Sequence, residues 1–422
     1  MSRSNLAPDT ALAERLFDAL RVESFDGVGV TREAYGPGER MAHALVRDAA
    51  EGLGLDCMAD PVGNLHMVLR GSDPQAKRIV LGSHLDSVPQ GGNFDGAAGV
   101  LAGLAAVAGL RAAGITPRCD VAVMAIRAEE AGAWFPTSYP GSRGALGRLP
   151  AAELAIRNMV TERTLAEHML EEGFDPGFVE RGDRVYGPDN VQAFVEVHIE
   201  QGPVLDAMEI PVGIVNGIPG SRRLRNGKVH GEWNHSGGTP RRYRADAAVA
   251  LAELVMGMDD AWGRLDAQGH SLVCTFCTMA TAPEAGFTKI AGEASFMLDI
   301  RSVRPASVDA MFDELARLVP AIEARRGVRF ELGLESGSTA APMDAGLRAG
   351  LAEAAREAGV SYLDMASGGG HDAAAFAAAG VPAAMLFVRN QNGSHNPHEA
   401  MRMEDFDAAC RVLTRWLVEQ AA

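Results

Sequence analysis

Four short apolar segments, each followed by polar residues, recur along the chain between stretches with helical spacing. They are RIVLGS (78–83), DVAVMAI (120–126), VQAFVEV (191–197) and VPAAMLFV (381–388). Nearly continuous apolar strands that alternate with amphipathic helices are typical of a parallel sheet covered on both faces. This feature predicts an α/β fold in which a mostly parallel sheet is sandwiched by helices.

The segment from about 214 to 336 has a different pattern. Strand-like stretches are interleaved there with two helical stretches, residues 246–265 and 306–326. That order predicts a smaller α+β domain with an antiparallel sheet. We therefore expect a catalytic domain of residues 1–213 and 337–422, interrupted by a lid or dimerisation domain of residues 214–336. Helices of the catalytic domain are predicted at 9–21, 39–52, 97–113, 344–358 and 404–420.

The charge balance excludes several classes of partner. The 422 residues include 39 Lys and Arg against 55 Asp and Glu, which gives a net charge of -16 and a pI near 5.2. Nucleic acid and anionic membrane surfaces are therefore not expected as partners. The longest apolar run, residues 96–110, is too short to cross a bilayer core of about 30 Å. The start, MSRSNLAPDT, lacks an apolar signal core, and five scattered cysteines do not form a secreted disulfide framework, so a cytoplasmic protein is expected.

Positive charge is nevertheless concentrated in the inserted segment. Six arginines lie close together there: Arg222, Arg223, Arg225, Arg241, Arg242 and Arg244. Two interpretations stay open for them, a small anionic substrate or an ion-paired dimer interface.

The end of the first apolar strand carries the first candidate ligands. His84 closes RIVLGSH, and Asp86 follows two residues later. A strand end delivers its side chain to the crevice where α/β enzymes bind ligands, and Asp86 can orient the imidazole. Asp95 follows in a glycine-rich loop that can bend back to the same crevice. Alone, the His-x-Asp pair is a weak signal, because most such pairs are ordinary loop residues.

Later strand ends add further candidates. Glu129 and Glu130 end DVAVMAIRAEE, His198 ends VQAFVEVH, and His395 lies in the loop NGSHNPHE. One of two adjacent acids can bind a cation while the other accepts a proton from water, although an isolated pair is usually a solvated turn. Five potential ligands thus follow successive strands: His84, Asp95, Glu130, His198 and His395.

This set of side chains predicts a metal-dependent hydrolase. Three imidazoles and two carboxylates suit two divalent ions of the zinc, manganese or cobalt type, with one carboxylate bridging. In a two-metal site the ions lie about 3.5–4 Å apart and lower the pKa of a shared water. We expect two ions per subunit, with zinc the first choice.

Several long motifs resemble the hydantoinase/carbamoylase group of dinuclear metal amidohydrolases, which is related to metallo-aminopeptidases and aminoacylases. The group includes N-carbamoyl-L-amino-acid hydrolases, allantoate amidohydrolases and β-ureidopropionases. The motifs cover nearly the whole chain: GSHLDSVPQGGNFDGAAGV, RAEEAGAWF, GSRGALG, VEVHIEQGPVLD, HSGGTPRRYRADA, FMLDIRS, SGGGHDAAAF and GSHNPHE. The resemblance implies a homodimer that cleaves an N-carbamoyl (ureido) amino acid into the amino acid, ammonia and carbon dioxide.

The resemblance also assigns the ligands to two metals. Asp95 matches the bridging ligand, and His84 and His198 match partners on one metal. Glu130 and His395 match the ligands of the other.

Further matches concern catalysis. Glu129 matches the general base, and Asp86 matches the acid behind His84. His235, in HSGGTP, matches the lid histidine that stabilises the oxyanion, usually across or near a dimer interface. The resemblance thus implies that Glu129 activates the attacking water and returns its proton to the leaving nitrogen.

Four positions match residues that hold the substrate's carboxylate and amide groups: Arg301, Gln201, Asn216 and His371. A guanidinium fork binds a carboxylate bidentately. For Arg301 the alternative is an ion pair with Asp299, and for His371 it is a helix N-terminal residue held by packing.

The chain departs from the family pattern at positions that select substrate. Trp134 stands where the family has Arg, and Thr288 stands where it commonly has Asn. Arg222 and Arg223 replace part of an aromatic-rich segment. A dipeptidase, an N-acyl-amino-acid hydrolase or another amidase for a small anionic substrate therefore remains an alternative. A non-catalytic binding protein is a third interpretation, which predicts a lost base or ligand.

Overall fold

The computed structural model describes residues 6–421. Residues 1–5 and 422 lie outside the described residues. The predicted catalytic domain includes all six of them, and the prediction that the chain lacks a signal core also concerns the first five. The helices in chain order are α1 (Thr10–Ser24), α2 (Pro37–Gly52), α3 (Ala97–Ala112), α4 (Pro140–Ala145), α5 (Leu165–Glu171), α6 (Pro176–Glu180), α7 (Val204–Ala207), α8 (Ala247–Ala267), α9 (Pro305–Arg326), α10 (Ala345–Glu357), α11 (Asp372–Ala378) and α12 (Met403–Gln420).

The strands of the described residues alternate with these helices. In chain order they are β1 (Asp56–Ala59), β2 (Leu65–Leu69), β3 (Arg78–His84), β4 (Val121–Ile126), β5 (Val191–Ile199), β6 (Val212–Val215), β7 (Gly217–Ile218), β8 (Gly220–His230), β9 (Asn234–His235), β10 (Val273–Thr281), β11 (Lys289–Ile290), β12 (Glu293–Ser302), β13 (Arg329–Glu331), β14 (Leu334–Ser338), β15 (Ala341–Pro342), β16 (Tyr362–Met365), β17 (Ala383–Val388), β18 (Asn390–Gln391) and β19 (Ala400–Met401).

The chain divides into two compact units. The split unit runs to Asn216 and resumes at Pro342, and the inserted unit is Gly217–Ala341. The predicted borders at 214 and 336 lie a few residues before these two junctions. Within the described residues, no helix has both the length and the apolar character needed to cross a membrane.

One large sheet organises the split unit. Its eight strands follow the order β1-β2-β4-β3-β5-β17-β6-β16. The central pairs β4/β3, β3/β5 and β5/β17 are parallel, and so is β6/β16. The pairs β1/β2, β2/β4 and β17/β6 are antiparallel. The α/β prediction is confirmed, and the sheet is mixed at its flanks partly because a short turn joins β1 to β2, which only antiparallel strands allow.

Helices cover both faces of this sheet. In β5, Ala193, Val195 and Val197 belong to the core cluster that also contains α3 and α12. Phe194 points to the other face, since strand side chains alternate. There its ring stacks on Phe376 of α11, with centroids 3.8 Å apart.

Helix α3 packs unusually close to the sheet. All its residues from Ala97 to Leu110 are buried, so it is apolar on every side, as a central helix must be. A Cβ on Gly99 would lie 2.1 Å from the carbonyl oxygen of Val197, and one on Gly96 would lie 2.4 Å from the ring of His84. Gly96 also has φ +66°, which side chains other than glycine rarely adopt. The start of this helix is therefore held against the strand ends.

The inserted unit is an α+β layer structure. Strands β10, β12, β8 and β13 form an antiparallel sheet in that order, and β14 also pairs with β8. One face of β12 is buried in alternation and packs with α8 and α9 in a single core cluster, which includes Leu254, Met258, Phe296, Leu298, Met311 and Leu315. The predicted antiparallel sheet with two long helices is present.

Candidate metal centre

The parallel strands bring the predicted ligands to one edge of the sheet. His84 is the last residue of β3, and His198 is the penultimate residue of the neighbouring β5. Glu129 and Glu130 open a short 3-10 helix just after β4. Because the carboxyl ends of parallel strands share one edge, these side chains converge where α/β proteins bind ligands.

Three buried side chains form the first group of donor atoms. Asp95 Oδ1 lies 3.0 Å from His198 Nε2 and 3.6 Å from His84 Nε2. The two imidazole Nε2 atoms are 3.4 Å apart. This group, His84, Asp95 and His198, can hold one metal ion.

The other oxygen of Asp95 belongs to a second group. Asp95 Oδ2 lies 3.3 Å from His395 Nε2, and that nitrogen lies 2.8 Å from Glu130 Oε1. Asp95, Glu130 and His395 can hold a second ion. The structure thus brings all five predicted ligands together, with one oxygen of Asp95 in each group.

The donor atoms have the chemistry that a metal site requires. His84 Nδ1 lies 3.0 Å from the carbonyl oxygen of Asp86, and His198 Nδ1 lies 2.8 Å from that of Ile199. A carbonyl only accepts, so each Nδ1 carries the proton and each Nε2 presents its lone pair to the cluster. Asp95 Oδ1 is buried and has no hydrogen-bond partner among the described residues. These observations fit a pair of divalent cations.

Electrostatics favour positive charge at this place. Burial lowers the pKa of His84, but the surrounding carboxylates, Glu129 foremost, raise it well above its ordinary value. Hydrogen bonds to Asp95 and Glu130 raise the pKa of His395 to about 10. In each case the carboxylates favour a positive charge at this place, and a bound cation would supply that charge while the imidazoles stay neutral ligands.

Glu129 has the surroundings of a general base. Its side chain is buried, and its Oε2 lies 3.7 Å from His84 Nε2. Burial raises its pKa well above the ordinary value, against the opposing attraction of His84. Asp86 lies behind both residues, since its carboxylate oxygens accept the backbone N–H groups of Glu129 and Glu130 at 3.1 and 2.9 Å. A carboxylate with a raised pKa can take up and release a proton near neutral pH.

Two of the four predicted substrate residues adjoin the cluster. Gln201 donates from Nε2 to Asp95 Oδ2 at 2.8 Å. The buried ring of His371 meets that of His198 edge-on with centroids 4.4 Å apart, and its Nε2 lies 3.0 Å from Ser367 Oγ. Burial lowers the pKa of His371 well below its ordinary value, so this ring is neutral.

The other two each pair with an aspartate of their own unit. Asn216, at the end of the split unit's first part, donates to Asp364 Oδ1 at 2.8 Å. In the inserted unit, Arg301 Nη2 pairs with Asp299 Oδ2 at 2.7 Å, which is the alternative that the sequence left open for this arginine.

His235 lies in an exposed turn of the inserted unit. Its Nδ1 accepts the backbone N–H groups of Gly237 and Gly238 at 3.1 and 2.9 Å, so a neutral ring carries its proton on Nε2. Thr288, one of the departures from the family pattern, is adjacent, because its carbonyl oxygen accepts the N–H of Ser236 at 2.9 Å. The turn therefore presents an outward hydrogen-bond donor.

The other departures have local partners. Trp134 is buried, and its indole Nε1 donates to the carbonyl oxygen of Ser87 at 2.9 Å. The Arg222 guanidinium lies 3.6 Å over the ring of Phe312 and pairs with Glu335 at 2.7 Å. Arg223 Nε pairs with Asp299 at 3.3 Å.

Sequence reasoning missed several residues that support the cluster. Glu399 is buried, and its Oε1 accepts the N–H groups of Phe94 and Asp95 at 2.9 and 3.2 Å. The hydroxyl of Ser394 lies 2.6 Å from Asp95 Oδ2. Arg32 is fully buried, and burial lowers its pKa to about 10. Ser394 and Glu399 both lie in the motif GSHNPHE, so their closeness in sequence to His395 could have indicated their place at the cluster. No feature of the sequence indicated Arg32.

Comparison with known proteins identifies the family. Residues 80–419 match the peptidase family M20/M25/M40. The chain belongs to this family. The N-carbamoyl-L-amino acid amidohydrolase of Geobacillus stearothermophilus is 33% identical over 97% of this chain and 98% of its own length. The allantoate amidohydrolase of Bacillus subtilis is 32% identical, with 94% of each chain covered.

A solved structure agrees with this M20/M25/M40 membership. A hydantoinase/carbamoylase family amidase from Burkholderia ambifaria superposes with a TM-score of 0.88, at 32% identity, over 99% of this chain and 98% of its own. The resemblance to the hydantoinase/carbamoylase group is therefore confirmed. This M20/M25/M40 protein is an amidohydrolase.

Proposed function

We propose that this amidohydrolase cleaves an N-carbamoyl (ureido) amino acid. The reaction converts R–NH–CO–NH₂ and one water into R–NH₂, carbon dioxide and ammonia. One observation carries the proposal: two donor groups share Asp95, and Glu129, a buried carboxylate with a raised pKa, stands beside them. Two relatives that match over nearly their full lengths are named for ureido compounds, which supports this substrate class.

We assign His84, Asp95 and His198 to one ion and Asp95, Glu130 and His395 to the other. Imidazole and carboxylate donors suit zinc first and also manganese or cobalt. When bound, such ions lower the pKa of water and polarise the carbonyl group.

Glu129 carries the proton transfers in this proposal. It accepts a proton as water attacks the carbamoyl carbon, and it later delivers that proton to the leaving nitrogen. Asp86 holds the backbone of Glu129 and Glu130 in place. Gln201 holds the Asp95 carboxylate through the hydrogen bond from its Nε2.

The inserted unit is proposed to act as a lid and dimerisation domain. The outward Nε2–H of His235 would donate to the oxyanion that develops on the carbonyl oxygen. Four residues are proposed to bind the carboxylate and amide groups of the substrate: Arg301, Gln201, Asn216 and His371. Sedimentation of the purified protein tests the homodimer.

An ammonia assay tests the substrate class. Metal-free enzyme is reloaded with zinc, manganese or cobalt and given N-carbamoyl amino acids, allantoate, N-acetyl amino acids and dipeptides. The proposal expects ammonia from ureido acids with metal and none after chelation. Cleavage of N-acetyl amino acids or dipeptides, with no ammonia from ureido acids, would overturn it.

The second candidate is an N-acyl-amino-acid hydrolase or dipeptidase, and it rests on the departure from the family pattern at Trp134. Its indole N–H is committed to the Ser87 carbonyl, so this position offers no cation to an anionic substrate. The same panel decides between the two.

A further inference from the structure

The turn that carries Glu129 and Glu130 has an unusual set of backbone partners. Four successive backbone N–H groups, those of residues 127–130, each donate to a buried side-chain oxygen. Arg127 N donates to Asn64 Oδ1 at 2.9 Å, and Ala128 N donates to Glu39 Oε1 at 2.8 Å. The next two donate to Asp86, as described above. Three side chains from three separate segments therefore fix this turn.

Ala128 shows why the turn needs such support. Its φ is +58°, in the left-handed region. A residue other than glycine stays in that conformation only where its surroundings impose it. It lies directly before the general base and two residues before Glu130, so its conformation sets where both carboxylates point.

We propose that Glu39 and Asn64 are positioning residues that hold the 127–130 turn, and with it Glu129 and Glu130, in the reactive geometry. The inference rests on the proposed role of Glu129. Both side chains are completely buried, and neither contacts a metal-donor atom of the cluster. They act through the backbone of Arg127 and Ala128.

The carboxylate of Glu39 divides its two oxygens between separate tasks. Oε2 accepts the N–H of Tyr35 at 2.7 Å and Nη1 of Arg127 at 3.0 Å, whereas Oε1 accepts only Ala128 N. A simple ion pair between Glu39 and Arg127 would leave Oε1 without a hydrogen-bond donor. Instead, Oε1 accepts a hydrogen bond from the backbone of the turn.

Asn64 is fixed so that it presents its oxygen to the turn. Its Nδ2 donates to Asp60 Oδ2 at 2.7 Å and to the Gly141 carbonyl at 3.1 Å. With both amide protons used, Oδ1 is the atom that faces Arg127 N.

Glu39→Gln tests the inference with the smallest change of shape. The backbone N–H of Tyr35 and the charged Nη1 of Arg127 will both donate to the single oxygen of the new amide. The new NH₂ group then faces the N–H of Ala128, and the turn loses an acceptor. Asn64→Ala removes the neighbouring acceptor by a different route. Tyr35→Phe is the matched control, because its hydroxyl bonds the Val62 carbonyl in the same buried region and leaves the turn untouched.

Three measurements are needed for each protein. In the metal-free protein, hydrogen exchange of the peptide spanning 127–130 should accelerate, while the Val121–Ile126 strand stays protected. Zinc titration by calorimetry should show one of two sites weakened about 10–100-fold, since Glu130 belongs to only one donor group. With substrate, kcat should fall about 10–100-fold with KM within about twofold.

The outcomes distinguish a positioning role of Glu39 and Asn64 from a role in folding alone. Both variants must show the changes, and Tyr35→Phe must not. Equal weakening of both zinc sites, unchanged exchange of the turn, or the same loss in Tyr35→Phe would overturn the proposal. So would failure of both variants to fold while Tyr35→Phe folds. If wild-type enzyme releases no ammonia from ureido acids, the proposed function fails, but exchange and zinc affinity still decide on Glu39 and Asn64.

Discussion

The donor cluster of the split unit and the His235 turn of the inserted unit are built in opposite ways. His84, Asp95 and His198 are buried, and their neighbours hold them from several segments of the chain. His235 is exposed, and its ring is held by two glycine amides of its own turn. The cluster is therefore fixed by tertiary packing, whereas the His235 ring is held locally by its own turn, whose backbone pairs with β11.

This difference affects how each region tolerates substitution. Most of the side chains proposed for metal binding and proton transfer lie at or just after the ends of central strands, where displacement disturbs the core: His84, His198, Glu129 and Glu130. The departures from the family pattern at Thr288 and Arg222 lie on the inserted unit, where exposed side chains can change at little cost in stability. The two regions should respond differently to substitution.

The largest effect is expected for Glu129→Gln. The amide keeps the shape but cannot accept the proton of water, so kcat should fall about 100–10,000-fold. Zinc content, measured by plasma emission, should stay at the wild-type value because Glu129 belongs to neither donor group. Glu129→Gln that retains more than a tenth of wild-type kcat would remove the proposed base.

His235→Ala should lower kcat about 100–1000-fold, as expected for loss of one oxyanion donor. Steady-state kinetics and the melting temperature are the measurements. The melting temperature should stay unchanged, because the side chain is exposed and accepts bonds only from its own turn. A large shift in melting temperature would contradict the local character of this turn.

Gly96→Ala and Gly238→Ala compare the two regions through one chemical change. The Cβ at Gly96 meets the His84 ring at 2.4 Å, whereas at Gly238 it meets His235 Nδ1 at 3.4 Å. Displacement of His84 should reduce kcat about 100-fold and release zinc on dialysis. Gly238→Ala should stay within about twofold of wild type. Equal effects would show that the two regions are equally rigid.

A smaller effect concerns His43, a buried residue next to Glu39. Burial first, then Arg127 and Arg47, hold the pKa of His43 well below its ordinary value, and Glu39 lies 4.0 Å away. Below pH 6.5 the unfolded chain therefore binds a proton that the folded chain does not, and stability falls as the pH falls.

Urea unfolding of wild type and His43→Leu measures that loss. From pH 6.5 to 5.5 the wild type should lose about 1 kcal/mol more than the variant. Above pH 7 the difference between the two should be constant. A parallel response at all pH values would mean that His43 takes up its proton over the same pH range in the folded and the unfolded protein.

The smallest effect is expected for Arg222→Ala. Arg222 is partly exposed and pairs with Glu335 and Asp309 within the inserted unit, so its removal should cost less than about 1 kcal/mol of stability. KM should change less than about twofold. A tenfold rise in KM would instead assign Arg222 to an anionic substrate.

The sequence predicted the sheet and the cluster because both depend on local patterns. Apolar strands with polar ends are visible in the chain itself, and the positions of His84 and His198 at strand ends follow directly. The antiparallel flanks were not predicted, because strand order depends on turns and crossovers rather than on composition. The roles of Arg301, Gln201, Asn216 and His371 as substrate contacts stay predictions.

The support beneath the cluster could not be predicted in the same way. Glu39 opens a helix, where an acidic residue is usually solvated, and its burial arises from the packing of α2 against the turn after β4. Arg32 likewise gains its partners from distant segments, and so does Asn64 in its contacts with Arg127 and Gly141. Such contacts leave no periodic signal in one sequence.

The close packing of α3 sets limits on how this enzyme can be re-engineered. A mutagenesis library aimed at new substrates should leave out Gly96 and Gly99, because an added Cβ would meet the His84 ring at the first and the Val197 carbonyl oxygen at the second. The side chains of Trp233, Tyr243 and Phe287 are exposed on the inserted unit, so they can be replaced with less disturbance of the core. Directed evolution should begin on that surface and leave the glycine- and alanine-rich helix as it is.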